Sequence, residues 1–234
     1  MIKKNILFSV LTGDVVNSSR LDNQNRVKLP VILKASFNLV KSILPDAIHS
    51  PFTIFRGDSF QGVLLKPADA LKAALLIRAQ LIFNFSGPLL REAIDARIAI
   101  GIGTINFLPK NRKSSEGDGQ AFQLSGSGLD NMKKHQHLVI RTPWNEIDEE
   151  FATECALLDG LINHWSAAQA EAVLKQLQGL TQEDMARKIG ITQPAVVSRL
   201  KAAEARSVEV FCKRFASVIT ARQNISFKAY NDGL

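Results

Sequence analysis

The 234-residue chain is short of several features that define protein classes. It has two cysteines, Cys155 and Cys212, far apart in helical patterns, so a reducing, cytoplasmic setting is expected and a disulfide framework is not. It has no apolar run of about 18 residues, so no transmembrane helix is expected. None of its Cys or His residues stands at structural-zinc spacing. Gly101-Ile-Gly103 lacks the third glycine of a dinucleotide loop. Ser125-Gly-Ser127-Gly has no strand-elbow-helix context and no paired His, which argues against a serine nucleophile. One Tyr and two Trp stand against 13 Phe, a balance that suits buried cores rather than a carbohydrate-binding surface. The opening Met1-Ile-Lys-Lys-Asn-Ile-Leu-Phe8 has no small-residue cleavage site and reads as a buried first strand, not a signal peptide.

What is present is ordinary globular composition, 46% hydrophobic and 22% charged, with a net charge of +7. A basic excess suits a polyanionic partner. The excess breaks at residues 145–165, which hold six acids and no Lys or Arg. That block marks a domain boundary. We therefore expect an α/β domain over 1–144, an acidic linker helix over 145–165, with its acids toward the helix N-terminus, and an all-α domain over 166–234.

In the first part, 5–12 reads as a strand ending at Gly13-Asp14, and 24–44 as a helix that Pro30 starts late or kinks. Residues 51–56 and 59–65 flank Gly57-Asp58 and suggest a hairpin. A helix over 67–85, a strand over 96–105, a loop over 109–120 with a basic run at 110–113, a helix over 121–133 and a strand over 137–142 follow. The order β-α-β-β-α-β-α-β implies a mixed sheet with helices covering one face. Helical patterns then cover 145–165, 167–178, 181–189 and 193–222.

Leu180 to Leu200 carries a helix-turn-helix pattern. Thr181 caps the first helix with Asp184 in the capping-box position, and Met185 and Ile189 face the core. Gly190 suits the turn. Thr192 caps a second helix that tolerates Pro194 in its first turn, and Val196 and Leu200 pack it back. Gln193, Pro194, Ser198 and Arg199 then occupy the end that enters a major groove, with Gln suited to adenine and Arg to guanine. Lys188, Thr192 and Lys201 are placed for phosphates. The segment is similar to the helix-turn-helix of sigma-factor region four and LuxR-type regulators. The stripe Val208, Phe211, Phe215, Val218 on the following helix suggests packing or a homodimer.

In the first domain, Asp14 ends strand one and Asp58 tips the hairpin. Paired strands would bring both carboxylates to one sheet edge, as hard ligands for Mg²⁺ or Mn²⁺ when a nucleoside triphosphate completes the shell. Gly13 and Gly57 would admit phosphates closely, and the amides of Asn17, Ser18 and Ser19 would form an anion-binding turn, with Arg56 nearby. Thr12-Gly-Asp-Val-Val-Asn-Ser-Ser-Arg20 and Phe55-Arg-Gly-Asp-Ser-Phe60 resemble the two metal-binding motifs of class III nucleotidyl cyclases. The second also resembles the hairpin of diguanylate cyclases, in a palm-like fold. Arg97-Ile-Ala-Ile-Gly101 is similar to a later cyclase strand, and 119–129 to the Gly-rich helix after it. With the Leu-Ser-Gly run at 124–126, the whole layout resembles the SatD family.

That resemblance implies a cyclase-like fold, a metal at Asp14 and Asp58, and a nucleotide. The late cyclase helix carries an Asn and an Arg that stabilise charge in the transition state. Here the matching stretch offers Gln123, Ser125, Ser127 and Gly128. This departure suggests binding without efficient turnover. The leading expectation is a double-stranded-DNA-binding regulator whose cyclase-like domain senses a nucleotide and metal. The alternatives are an active nucleotidyl cyclase or oligonucleotide synthase, and a catalytically dead dimerising scaffold.

Overall fold

Strand β1 (Phe8–Val15) lies at the centre of a five-stranded sheet of order β2-β3-β1-β4-β5. Every residue of β1 except Asp14 is buried, as its apolar run requires. The computed structural model describes residues 6–85, 94–108 and 116–231. The basic run at 110–113 lies outside the described residues, and so does the side chain of Arg56.

The strand does not stop at Gly13-Asp14 as expected. Gly13 pairs with Phe60 on one side and Ile98 on the other. A Cβ there would lie 2.6 Å from the Phe60 ring and 2.7 Å from the Arg97 carbonyl oxygen. Gly13 thus serves close strand packing. Strands β2 (Ile48–Arg56) and β3 (Ser59–Leu64) form the expected hairpin, turning at Gly57 with φ 62°. Strand β4 (Ala96–Gly103) runs antiparallel to β1, and β5 (Leu138–Arg141) runs parallel to β4. The sheet is therefore mixed.

Helices cover both faces, not one. Leu11, Phe60, Ile98 and Ile100 share a core with α1 (Asn23–Ile43) and α2 (Ala70–Phe85). Phe8, Val10 and Val63, on the alternate face, pack with Ala121 of α3 (Gln120–Asp130). Gly101 makes this second layer possible, since a Cβ there would lie 2.3 Å from the Ala121 carbonyl oxygen. Helix α1 does not start late: Asp22 caps it by accepting from the Asn25 amide at 2.8 Å, and Pro30 sits inside.

The rest is helical: α4 (Asn145–Ile162), α5 (Ala167–Leu177), α6 (Gln182–Ile189), α7 (Gln193–Ala202) and α8 (Ala205–Asn231). Phe151 of α4, Leu174 of α5 and Phe215 of α8 belong to the same buried cluster as α2. The acids of α4 hold α8: Arg214 donates to Glu150 at 2.8 Å and Arg222 to Glu146 at 2.9 Å. The apolar stripe on α8 meets α4 within the chain, with Phe151 and Phe215 rings 5.3 Å apart. The stripe is used in internal packing.

One continuous helix was expected over 193–222, and it is broken. Glu204 adopts a left-handed φ of 52°, and α8 begins directly after it. The carbonyl freed at Ala203 accepts from the Trp165 indole N–H at 3.0 Å. Among the described residues, no helix is long and apolar enough to cross a membrane.

Candidate active-site cleft

Strand alternation puts Asp14 on the face that α3 partly covers, directly opposite Arg97 in the β1–β4 register. The pair is bidentate: Arg97 Nε donates to Asp14 Oδ1 at 2.9 Å and Nη2 to Oδ2 at 2.5 Å. Its hydrogen bonds to Asp14 raise the Arg97 pKa, against the opposing effect of partial burial. Asp58 sits at the hairpin tip and accepts from the Ser18 hydroxyl. Between them, Asn17 takes a left-handed φ of 61° and turns the chain into a single 3-10 turn over Ser18–Arg20.

These residues line one open cleft of about 360 Å³: Asp14, Asn17, Ser18, Ser19, Asp58 and Ser59, with Arg97 and Lys134. The two aspartates expected together do share a cleft. Gly13 and Gly57 do not line it. Gly13 is walled off by Phe60, and Gly57 shapes the hairpin turn that carries Asp58. Sequence reasoning placed Arg97 on a cyclase-like strand without pairing it to Asp14, and it missed Lys134. Only strand register sets Arg97 beside Asp14, and only the α3–β5 connection brings Lys134 round.

Among the described residues, no group of three His, Cys, Asp or Glu side chains could hold a metal ion. The cleft offers two carboxylates, hard oxygen donors of the right kind for a magnesium-sized ion whose shell is completed by phosphate. Both Asp14 oxygens are held by Arg97. The donor types would suit a divalent ion, and Asp14 could offer its oxygens to one only if Arg97 released them.

A second charged cluster lies deeper. Arg78 of α2 is fully buried, donates to Asp95 through Nε and Nη2, and reaches Asp159 of α4 at 2.6 Å. Burial pulls its pKa down, but the two carboxylates outweigh burial and push it above the ordinary range. Asp159 also accepts from the backbone amides of His137 and Leu138 at the start of β5. This cluster ties α2, β4, β5 and α4 together.

In the C-terminal part, Thr181 accepts from the Asp184 amide at 3.1 Å, and its hydroxyl donates to the Asp184 carboxylate at 2.7 Å. The carboxylate thus meets the cap side chain and not the cap backbone. Thr192 caps α7, and Gly190 takes φ 76° in the turn. Lys188, Thr192, Gln193, Pro194, Ser198 and Lys201 are exposed. Arg199 is not free: its guanidinium pairs with Glu171 of α5 at 3.1 Å.

A model of the SatD family matches residues 8–217. The chain belongs to the SatD family. No curated protein matches it. Solved structures similar to this SatD-family chain include nucleotidyl cyclase domains. The guanylyl cyclase domain of the RhoGC fusion protein from Blastocladiella emersonii is 18% identical over 59% of this chain and 82% of that one, with a TM-score of 0.44. The guanylate cyclase domain of RhGC from Catenaria anguillulae, solved in complex with GTP, is 19% identical over 59% and 79%, with a TM-score of 0.40. The active GGEEF domain of a diguanylate cyclase from Vibrio cholerae is 18% identical over 58% and 82%, with a TM-score of 0.37.

Proposed function

We propose that this protein binds a nucleoside polyphosphate with a divalent metal in the Asp14–Asp58 cleft. The observation that carries the reading is the convergence, in one cleft, of two carboxylates with Arg97 and Lys134. Carboxylates alone suit a cation and basic groups alone suit an anion. Both together suit a metal-complexed polyanion. Asp14 and Asp58 would hold the metal, which supplies charge neutralisation to the phosphates. Arg97 and Lys134 would bind phosphate oxygens, and the Ser18 hydroxyl orients Asp58.

Thermal shifts with each nucleoside triphosphate, with and without Mn²⁺, test this. Wild type should gain several degrees with one triphosphate plus metal, and Asp14→Asn should gain none. Equal shifts in the two proteins would remove the assignment. Product analysis of the same mixtures separates a cyclase from a sensor.

Duplex DNA binding by α6 and α7 is the second reading. It is favoured by the two threonine caps, the left-handed Gly190 and the exposed Gln193, Pro194 and Ser198 at the start of α7. Since Arg199 is paired to Glu171, base reading falls to Gln193 and Ser198, and phosphate contact to Lys188 and Lys201. On a selected duplex, Gln193→Ala should cost about 1–3 kcal/mol and relax specificity at one base. Lys201→Ala should weaken all sequences alike and flatten the salt dependence. Absence of salt-sensitive duplex binding by wild type would end this reading.

A further inference from the structure

Behind the cleft lies a second recess of about 290 Å³, close to the lower end of the roughly 300–1,000 Å³ typical of small-molecule sites. It opens beside the cleft, since Val16 and Asn17 line both. Its wall is built from separate elements. Asp95 precedes β4, His135 and His137 precede β5, and Asn163 and Trp165 follow α4. We propose that this recess is a binding site for a nucleobase, the planar heteroaromatic end of the nucleotide whose phosphates occupy the cleft. This rests on the polyphosphate reading above.

Three observations carry it. First, the recess has an aromatic wall that is fixed in place. The Trp165 indole N–H is bonded to the Ala203 carbonyl, so the ring cannot turn away. A base stacks favourably on such a ring whatever its sequence identity. Second, the recess holds an unspent polar atom. His137 Nδ1 is buried with no hydrogen-bond partner. Buried polar atoms in native proteins are nearly always paired, and this one belongs to a side chain that lines the recess, where a small shift of the ring would bring it to the donors and acceptors at the edge of a base. Burial lowers the His137 pKa, favouring the neutral ring and hence an imidazole that both donates and accepts. The exposed Asn163 amide adds one more donor and acceptor to the same wall. Third, Asp95 is no competing cation site. Arg78 and the Ala96 amide already satisfy its carboxylate. The recess is therefore lined by both polar and aromatic side chains and is not dominated by an unpaired charge. That character suits a neutral base.

Trp165 provides the readout. The chain has two tryptophans, so Trp144→Phe leaves Trp165 as the sole emitter. Full-length Trp144→Phe protein is titrated with Mg²⁺ and, separately, inorganic tripolyphosphate, the four nucleoside triphosphates and the four nucleosides. Emission and melting temperature are followed together. The expected result has three parts. One triphosphate and its nucleoside quench Trp165. Tripolyphosphate raises the melting temperature and leaves emission unchanged. The favoured triphosphate binds at least tenfold tighter than tripolyphosphate. Asn163→Ala, at an exposed position, should cut that preference severalfold and leave tripolyphosphate binding intact. His137→Phe should do the same where it folds.

If every triphosphate binds no tighter than tripolyphosphate and Trp165 emission does not move, the base site is overturned and the phosphate cleft stands. If tripolyphosphate fails to bind but a nucleoside still quenches Trp165, the cleft reading falls and the base site stands. If neither binds, both fall.

Discussion

Arg78 has no exposed atom to spare, and its two carboxylate partners are almost as deeply buried. A charged group in that position is held by its neighbours and not by water. Removing it leaves two buried carboxylates, Asp95 and Asp159, with only backbone amides and no counter-charge. Arg78→Met, which keeps volume but not charge, should therefore cost about 3–5 kcal/mol in chemical denaturation. A loss under about 1 kcal/mol would show that the cluster relaxes into solvent. At the same scale, Cys155 and Cys212 are inert by environment. Burial pushes the Cys155 thiol well above its usual range and the Cys212 thiol up to about 12. Both stay protonated and unreactive at neutral pH. The sequence shows that these thiols lie in helical patterns. It does not show Arg78 as special, because its partners lie 17 and 81 residues away.

Among the elements, the junction of α7 and α8 carries backbone strain. Glu204 holds a left-handed conformation that side-chain-bearing residues adopt at a cost of roughly 1–2 kcal/mol. Glu204→Gly should relieve about 1 kcal/mol of it and raise the melting temperature, with α7 and α8 unchanged by circular dichroism. A destabilisation would mean that the contacts of the Glu204 side chain outweigh the strain. This break was illegible in the sequence. Apolar periodicity runs on through Ala203-Glu204-Ala205, and no Gly, Pro or Asn signals a stop. The β2–β3 hairpin was legible for the opposite reason: Gly57-Asp58 stands between two apolar runs, and Gly57 does take the positive φ. The strand limits of β1 were misread because Gly13 looked like a turn residue. It is instead a glycine that an aromatic ring packs against.

For the molecule as a whole, the buried cluster runs without interruption from α1 and α2 through α4 and α5 to α8. The acidic stretch 145–165, legible as a composition break, packs against both halves. Arg78 binds its Asp159 from one side, and Arg214 and Arg222 bind its glutamates from the other. Urea unfolding should accordingly be one transition, superimposable by tryptophan emission and by helical circular dichroism. Two separated transitions would show that the helical part unfolds on its own. The individual elements were largely readable from periodicity and turn residues. Their mutual fastening was not, because it depends on ion pairs between residues dozens of positions apart.

The Asp14–Arg97 pair has a consequence for the order of events in the cleft. While Arg97 holds both oxygens of Asp14, the resting site carries its own counter-charge and presents little attraction to a free cation. On the proposed reading, phosphate oxygens would draw Arg97 away, and only then would Asp14 have both oxygens to offer. The two ligands would then be thermodynamically linked, each raising the affinity for the other. Such a cleft would act as a coincidence detector, responding far more to metal and polyanion together than to metal alone.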